Sequence, residues 1–164
     1  MPQIWQILMG YGISLKGKSL LDLGGGHGDL CLMAHNSGAK KVRYIDNAID
    51  DSVYARFHKT TVELFKQDIE KNEWGNGFDY ISCLSVLPYL QSPDRFLNDV
   101  SKTGSVFILE CQYAGDGPGL REIQNDYHME SWLRVYWDGV ESIGKTLVAG
   151  RQRYRTIWVC KNDS

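Results

Sequence analysis

The stretch Asp22-Leu23-Gly24-Gly25-Gly26-His27-Gly28-Asp29 carries the residue types and spacing best suited to chemistry in this chain. Its glycines allow a sharp turn with positive φ and let a ligand approach the backbone with no Cβ in the way. A helix-length segment over residues 29–36 follows, and a helix start offers unpaired N–H groups. Two ligand chemistries compete for such a loop. The dinucleotide fingerprint G-x-G-x-x-G, counted from Gly24 and Gly26, needs a glycine where Asp29 stands, and an acid there faces a pyrophosphate at an electrostatic cost. No Gly-Lys-Ser/Thr follows, so the P-loop pattern is absent. The spacing D-x-G-x-G-x-G is met in full by Asp22, Gly24, Gly26 and Gly28, with Gly25 between them. That set suits the amino-acid end of a ligand, whose ammonium needs an acceptor and whose carboxylate needs N–H donors. The plain alternative is an ordinary tight strand-to-helix turn.

The elements around the loop follow from the hydrophobic pattern. Residues 19–23, 42–46, 62–65, 78–86 and 105–111 read as strands, with helical segments at 29–36 and 50–58 and after Pro93. Strands alternating with helices predict a parallel sheet, because parallel neighbours need long crossovers. Pro118 suits the first turn of a short helix, and Asp126 suits the N-cap of a helix over 127–137. The last two runs, 140–148 and 155–160, lie too close for a helical crossover and predict an antiparallel hairpin. The expected architecture is an α/β three-layer sandwich: a mostly parallel seven-stranded sheet, Rossmann-like, ending in that hairpin, in one domain over residues 1–164.

Composition narrows the class. Eighteen Lys+Arg against twenty Asp+Glu give a net charge of −2, which disfavours a protein that depends on nucleic-acid phosphates. No apolar run is long enough to span a bilayer. Residues 4–15 are mildly apolar but lack the flanks of a signal peptide. Cys31, Cys83, Cys111 and Cys160 lie far apart, which excludes a local zinc site and fits reduced thiols in a cytoplasm. The expectation is a cytoplasmic protein with no metal and no membrane segment.

Asp22 to Gly28 resembles the first motif of the class I S-adenosylmethionine-dependent methyltransferases, and the order of elements over about residues 17–161 is similar to theirs. The resemblance implies S-adenosylmethionine as cofactor. It places Asp46, ending the second strand, on the ribose hydroxyls and Asp68, after the third strand, on the adenine amino group. It sets residues 82–90, with Ser85, beside the methionine moiety. Asp22, Gly24, Gly25, Gly26 and Gly28 complete the implied cofactor set. Either acid could instead be a solvated strand end.

The resemblance also places the acceptor pocket past the fourth and fifth strands, where Tyr89, Tyr113 and Asp116 are the candidate catalytic residues and His128 a further one. Ser85-Val86-Leu87-Pro88-Tyr89 lacks the leading amide and first proline of the Asn-Pro-Pro-Tyr motif of many amino-methylating members, which argues against base-flipping enzymes. The short chain suggests an open site, suited to a macromolecular acceptor, a carried substrate, or a homodimer that completes the pocket. The basic run over 151–155 is a solvated turn or a docking site for an acidic partner or RNA. Against the methyltransferase stand a binding module without turnover, a partner subunit of a larger methyltransferase, and a nicotinamide-dependent oxidoreductase.

Overall fold

All five residues of β1 (Ser19–Leu23) are buried, so a continuous apolar run, rather than an alternating one, is what this strand requires. The computed structural model describes residues 3–113, 120, 122–148 and 153–163. The chain runs α1 (Gln3–Tyr11), β1, α2 (Asp29–Asn36), β2 (Lys41–Asp46), α3 (Asp51–Phe57), β3 (Glu63–Lys66), β4 (Tyr80–Leu84), α4 (Pro93–Ser101), β5 (Val106–Cys111), α5 (Asp126–Leu133), β6 (Gly139–Leu147) and β7 (Tyr154–Lys161). Single 3-10 turns lie at Ile69–Lys71 and Leu87–Tyr89. The seven strands form one mixed sheet in the order β3-β2-β1-β4-β5-β7-β6. The expected parallel strands and closing hairpin are both present. Residues 1–82 and 83–164 make two compact units.

In the first unit β1 is flanked by β2 and β4, both parallel to it, and β3 pairs parallel with the far side of β2. Leu20, Leu21 and Leu23 are fully enclosed, whereas the short outer strand β3 ends on exposed Phe65 and Lys66. Charge on an outer strand discourages pairing with another chain. Asp79 ties the starting ends of β1 and β4. Its Oδ2 accepts from the Ser19 N–H and hydroxyl, each at 2.8 Å, and Lys40 lies 3.1 Å away. The Ser19 bonds lead in holding the Asp79 carboxyl well below its usual range.

α1 is absent from the sequence reading, because Gln6 and two glycines dilute its apolar face. Ile4, Trp5 and Leu8 nonetheless bury one side. The helix ends at Gly12, φ +94°, where Gly12 N–H bonds Met9 O and Ile13 N–H bonds Leu8 O, a left-handed glycine stop.

In the second unit α4, the helix expected after Pro93, buries Phe96, Leu97 and Val100. β7 pairs antiparallel with both β5 and β6, and Phe107 stacks on Trp137 at 5.2 Å. Several boundaries differ from the sequence reading. The fourth strand stops at Leu84 because Ser85 turns left-handed, φ +62°. The N-cap of α5 is Asn125, not Asp126, and its side chain accepts from His128 N–H at 2.9 Å. Asp126 instead spends its carboxylate on the hairpin. The helix also closes at Leu133 rather than 137. Pro118 lies outside the described residues.

Candidate functional site

The carboxyl ends of three parallel strands set out the first unit's site. Asp22 stands opposite Tyr44 on β2 and Ser82 on β4, and Asp46 stands opposite Lys66 at the end of β3. Ligands of open α/β sheets bind outside such ends, where the strand order reverses, and here that point is β1 beside β4.

The loop leaving β1 turns at Gly24, Gly26 and Gly28, with φ of +74°, +54° and +74°. Gly24 N–H bonds Ile45 O at 2.7 Å, and Gly28 N–H bonds Gly25 O at 2.8 Å. Two of the glycines are also required by packing. A Cβ on Gly25 would lie 2.4 Å from the Tyr44 ring and 2.9 Å from Asp22 Oδ2; one on Gly28 would lie 2.5 Å from the Phe57 ring. The loop is thus seated on aromatic side chains of β2 and α3.

Asp22 is buried beneath that loop, 1% exposed. Its Oδ1 accepts from the Ser82 hydroxyl at 2.6 Å, and its Oδ2 accepts from the Cys31 thiol at 3.4 Å. Burial raises its pKa to about 6, partly offset by those two bonds, with Asp46 adding repulsion. The same burial, with the Asp22 charge, pushes the Cys31 thiol far up, so this cysteine is inert. All four cysteines are buried, and none is in a disulfide.

Asp46 is half-buried, with Oδ2 accepting Gly26 N–H at 3.1 Å and Oδ1 accepting Ala48 N–H at 2.8 Å. Each oxygen keeps a further lone pair. Asp68 is exposed and caps the Ile69–Lys71 turn, its Oδ1 accepting Glu70 N–H at 2.9 Å. Asp22, the four glycines of the motif and its neighbour, Asp46 and Asp68 therefore share one edge of one unit.

Sequence reasoning missed the loop's supports. Tyr44 donates its hydroxyl to Gly26 O at 2.7 Å. Arg56, on α3, bonds His27 O at 3.1 Å and pairs with Asp29. That pair offsets the Asp29 charge, so the electrostatic case against a diphosphate rests mainly on Asp22. Alternation along β2 could have flagged Tyr44; nothing in the sequence pointed to Arg56.

Ser85, Tyr89 and Tyr113 belong to the second unit. The Ser85 hydroxyl donates to the Glu110 carboxylate and accepts from Arg155 Nη1 at 2.7 Å. Tyr89 closes the Leu87–Tyr89 turn and is 60% exposed. Tyr113 donates its hydroxyl to Asp126. Burial, then that bond, pushes the phenol well above the ordinary tyrosine range. Burial works against ionisation of Asp126 as well, but donation from Thr156 at 2.6 Å, Tyr113 and Lys145 at 2.9 Å holds it below the usual value. A phenol that keeps its proton and a carboxylate already filled with donors make a poor general base. The geometry makes Tyr113 a strut between the end of β5, α5 and the hairpin. Asp116 lies outside the described residues. His128 is half-buried on α5 and takes a long contact from Gln124 N–H at 3.5 Å.

No family model and no curated protein matches this sequence. Solved structures do. A magnesium protoporphyrin IX methyltransferase from Synechocystis, crystallised with S-adenosylhomocysteine, aligns at a TM-score of 0.71 and 18% identity, over 98% of this chain and 80% of that one. An S-adenosylmethionine-dependent methyltransferase from Mesorhizobium loti aligns at 0.72 and 14%, over 96% and 97%. The N-methyltransferase NodS from Bradyrhizobium japonicum, in complex with S-adenosylhomocysteine, aligns at 0.74 and 13%, over 99% and 85%. The chain has the class I, Rossmann-like fold of the S-adenosylmethionine-dependent methyltransferases. Within that class its neighbours act on varied substrates. Among the described residues no helix is long and apolar enough to cross a membrane.

Proposed function

We propose that the protein binds S-adenosylmethionine at the carboxyl edge of β1, β2 and β3 and transfers its methyl group to an acceptor. The observation that carries this reading is the arrangement of Asp22, the glycine turn, Asp46 and Asp68 on adjacent strand ends of one unit. The donor set fits the cofactor's parts. The glycine turn meets the amino-acid end, with the Asp22 charge beneath it. Asp46, already fixed by two N–H donors, has lone pairs left for a ribose diol. Asp68 stands one strand further out, where the adenine edge would lie.

When bound, the cofactor supplies a sulfonium-activated methyl group. The protein's part is then largely to position, which is worth up to roughly 7–11 kcal/mol in well-oriented reactions. Tyr89, exposed on the turn after β4, is the acceptor-side residue this reading favours. The occupied state of Tyr113 and Asp126 favours an acceptor that needs no strong base from them, such as a neutral amine or ring nitrogen.

Thermal shift with S-adenosylmethionine, S-adenosylhomocysteine and NAD side by side tests the reading, since a ligand of the folded state raises the melting temperature. A rise with the first two and none with NAD is expected. A rise with NAD alone would overturn the proposal. Cofactor consumption with an added amine panel then separates an enzyme from a module that binds without turnover.

A further inference from the structure

Two neighbouring residues of α3 grip the first unit's glycine loop. Phe57, buried, packs against Gly28, where a Cβ would come within 2.5 Å of its ring. Arg56 reaches to the residues on either side of Gly28. Its Nη1–H donates to His27 O at 3.1 Å, and its Nη2 pairs with the Asp29 carboxylate. That pair adds little to the fold: its side chains are 35% and 52% exposed, and ion pairs so open to water contribute little stability. What it changes is the field at the loop.

Three successive carbonyls of the loop are already occupied. Gly25 O accepts from Gly28 N–H, Gly26 O from the Tyr44 hydroxyl and His27 O from Arg56. The N–H groups of Gly25, His27 and Asp29, by contrast, have no acceptor among the described residues. Main chain with its carbonyls occupied and its donors open suits an anionic group. Asp29 stands in the middle of this arrangement, as the first residue of α2. An unpaired carboxylate there would repel the very group the donors suit. Asp46, bonded to Gly26 N–H, and Asp22 beneath the turn add to that repulsion, although both favour an ammonium.

We infer that Arg56 is a positioning residue: by pairing with Asp29 it fits the loop to receive the carboxylate of the ligand's amino-acid end. This rests on the methyltransferase reading, which puts that end at the glycine turn. Arg56 acts through Asp29 and need not touch the ligand.

Calorimetric titration into wild type, Arg56→Ala and the Arg56→Ala/Asp29→Asn double variant tests it, with two probes. One is S-adenosylhomocysteine. The other is its decarboxylated analogue, which keeps the thioether and the ammonium and lacks the carboxylate. Arg56→Ala should weaken S-adenosylhomocysteine about fivefold or more, as Asp29 loses its partner. The analogue, a net cation, should bind Arg56→Ala at least as tightly as wild type. The double variant should bring S-adenosylhomocysteine back to within about threefold of wild type, because the repelling charge is gone. A strap that merely stiffens the loop would weaken both probes alike and give no recovery. Wild-type affinity for S-adenosylhomocysteine in Arg56→Ala, an equal loss for both probes, or a double variant as weak as Arg56→Ala overturns the inference. Where the analogue binds too weakly to titrate, the double variant decides. Arg56→Gln with its Asp29→Asn partner carries the same comparison if alanine at 56 does not fold. Should wild type itself bind no S-adenosylhomocysteine, the cofactor reading falls and this inference with it; binding with flat variants overturns the inference alone.

Discussion

Replacing Asp22 with asparagine should make the ligand-free protein more stable at alkaline pH while weakening cofactor binding. Burial raises this carboxyl from the ordinary 3.8 to about 6, so the folded chain holds its proton more tightly than the unfolded chain. The stability linked to that proton is fully present below about pH 4 and is lost as pH rises through 6. Above both values the ionised, buried carboxylate costs about 3 kcal/mol relative to the unfolded state. Asparagine cannot ionise, but it cannot accept from both Ser82 and Cys31 as the carboxylate does, which costs about 1–2 kcal/mol. The variant should therefore gain about 1–2 kcal/mol at pH 8 and gain nothing, or lose, near pH 4.5. Urea melts of both proteins at the two pH values read this directly. In the same samples the affinity for S-adenosylhomocysteine should fall about tenfold or more, because the ligand's ammonium loses its counter-charge. A variant less stable than wild type by the same amount at both pH values would refute the reasoning, since Asp22 would then be an ordinary hydrogen-bonding residue with no ionisation cost.

Asp46→Ala should weaken S-adenosylhomocysteine binding about tenfold or more by calorimetry, from lost charge-assisted bonds to the ribose and a looser Gly26 N–H. Unchanged affinity would remove Asp46 from the site. Gly25→Ala should lower the melting temperature more than Gly26→Ala, because the first drives a Cβ into Tyr44 and Asp22 whereas the second meets only its own φ of +54°. Equal losses would mean the loop is not seated on Tyr44 as described. Tyr113→Phe should cost about 1 kcal/mol of stability through the lost bond to Asp126, with cofactor affinity unchanged. Once an acceptor is found, a loss of turnover beyond a hundredfold in this variant would restore Tyr113 as a catalytic residue.

The succession of strands and helices along the chain and the glycine loop were legible because both are local signals. The Asp22–Gly28 spacing, the buried run of β1 and the short gap before β7 each state their role within a few residues. Asp46 and Asp68 could be placed because strand ends are marked by where an apolar run stops. The long-range supports were not legible. Ser82 meets Asp22 across sixty residues, and neither residue type announces the partner. α1 was hidden by its own glycines, although its last one is what ends it. The cap of α5 fell one residue early, because Asn125 and Asp126 are equally good caps in isolation and only the hairpin's Thr156 and Lys145 decide which is free. Glu110 and Arg155 carried no pattern at all: an acid in a strand and an arginine in a basic run look unrelated until β5 and β7 pair.

The bond from Ser82 to Asp22 also bears on the order of assembly. The glycine turn and its aromatic seat draw on residues close together along the chain, so they can form while synthesis is still in progress. The Asp22 carboxylate keeps an unmatched oxygen until β4 arrives beside β1, and closing that long intervening loop carries the larger entropy loss. A nascent chain halted before residue 82 would thus hold a preformed bend above an unsatisfied acid. Docking of the fourth strand is the event that completes the partners of this acid.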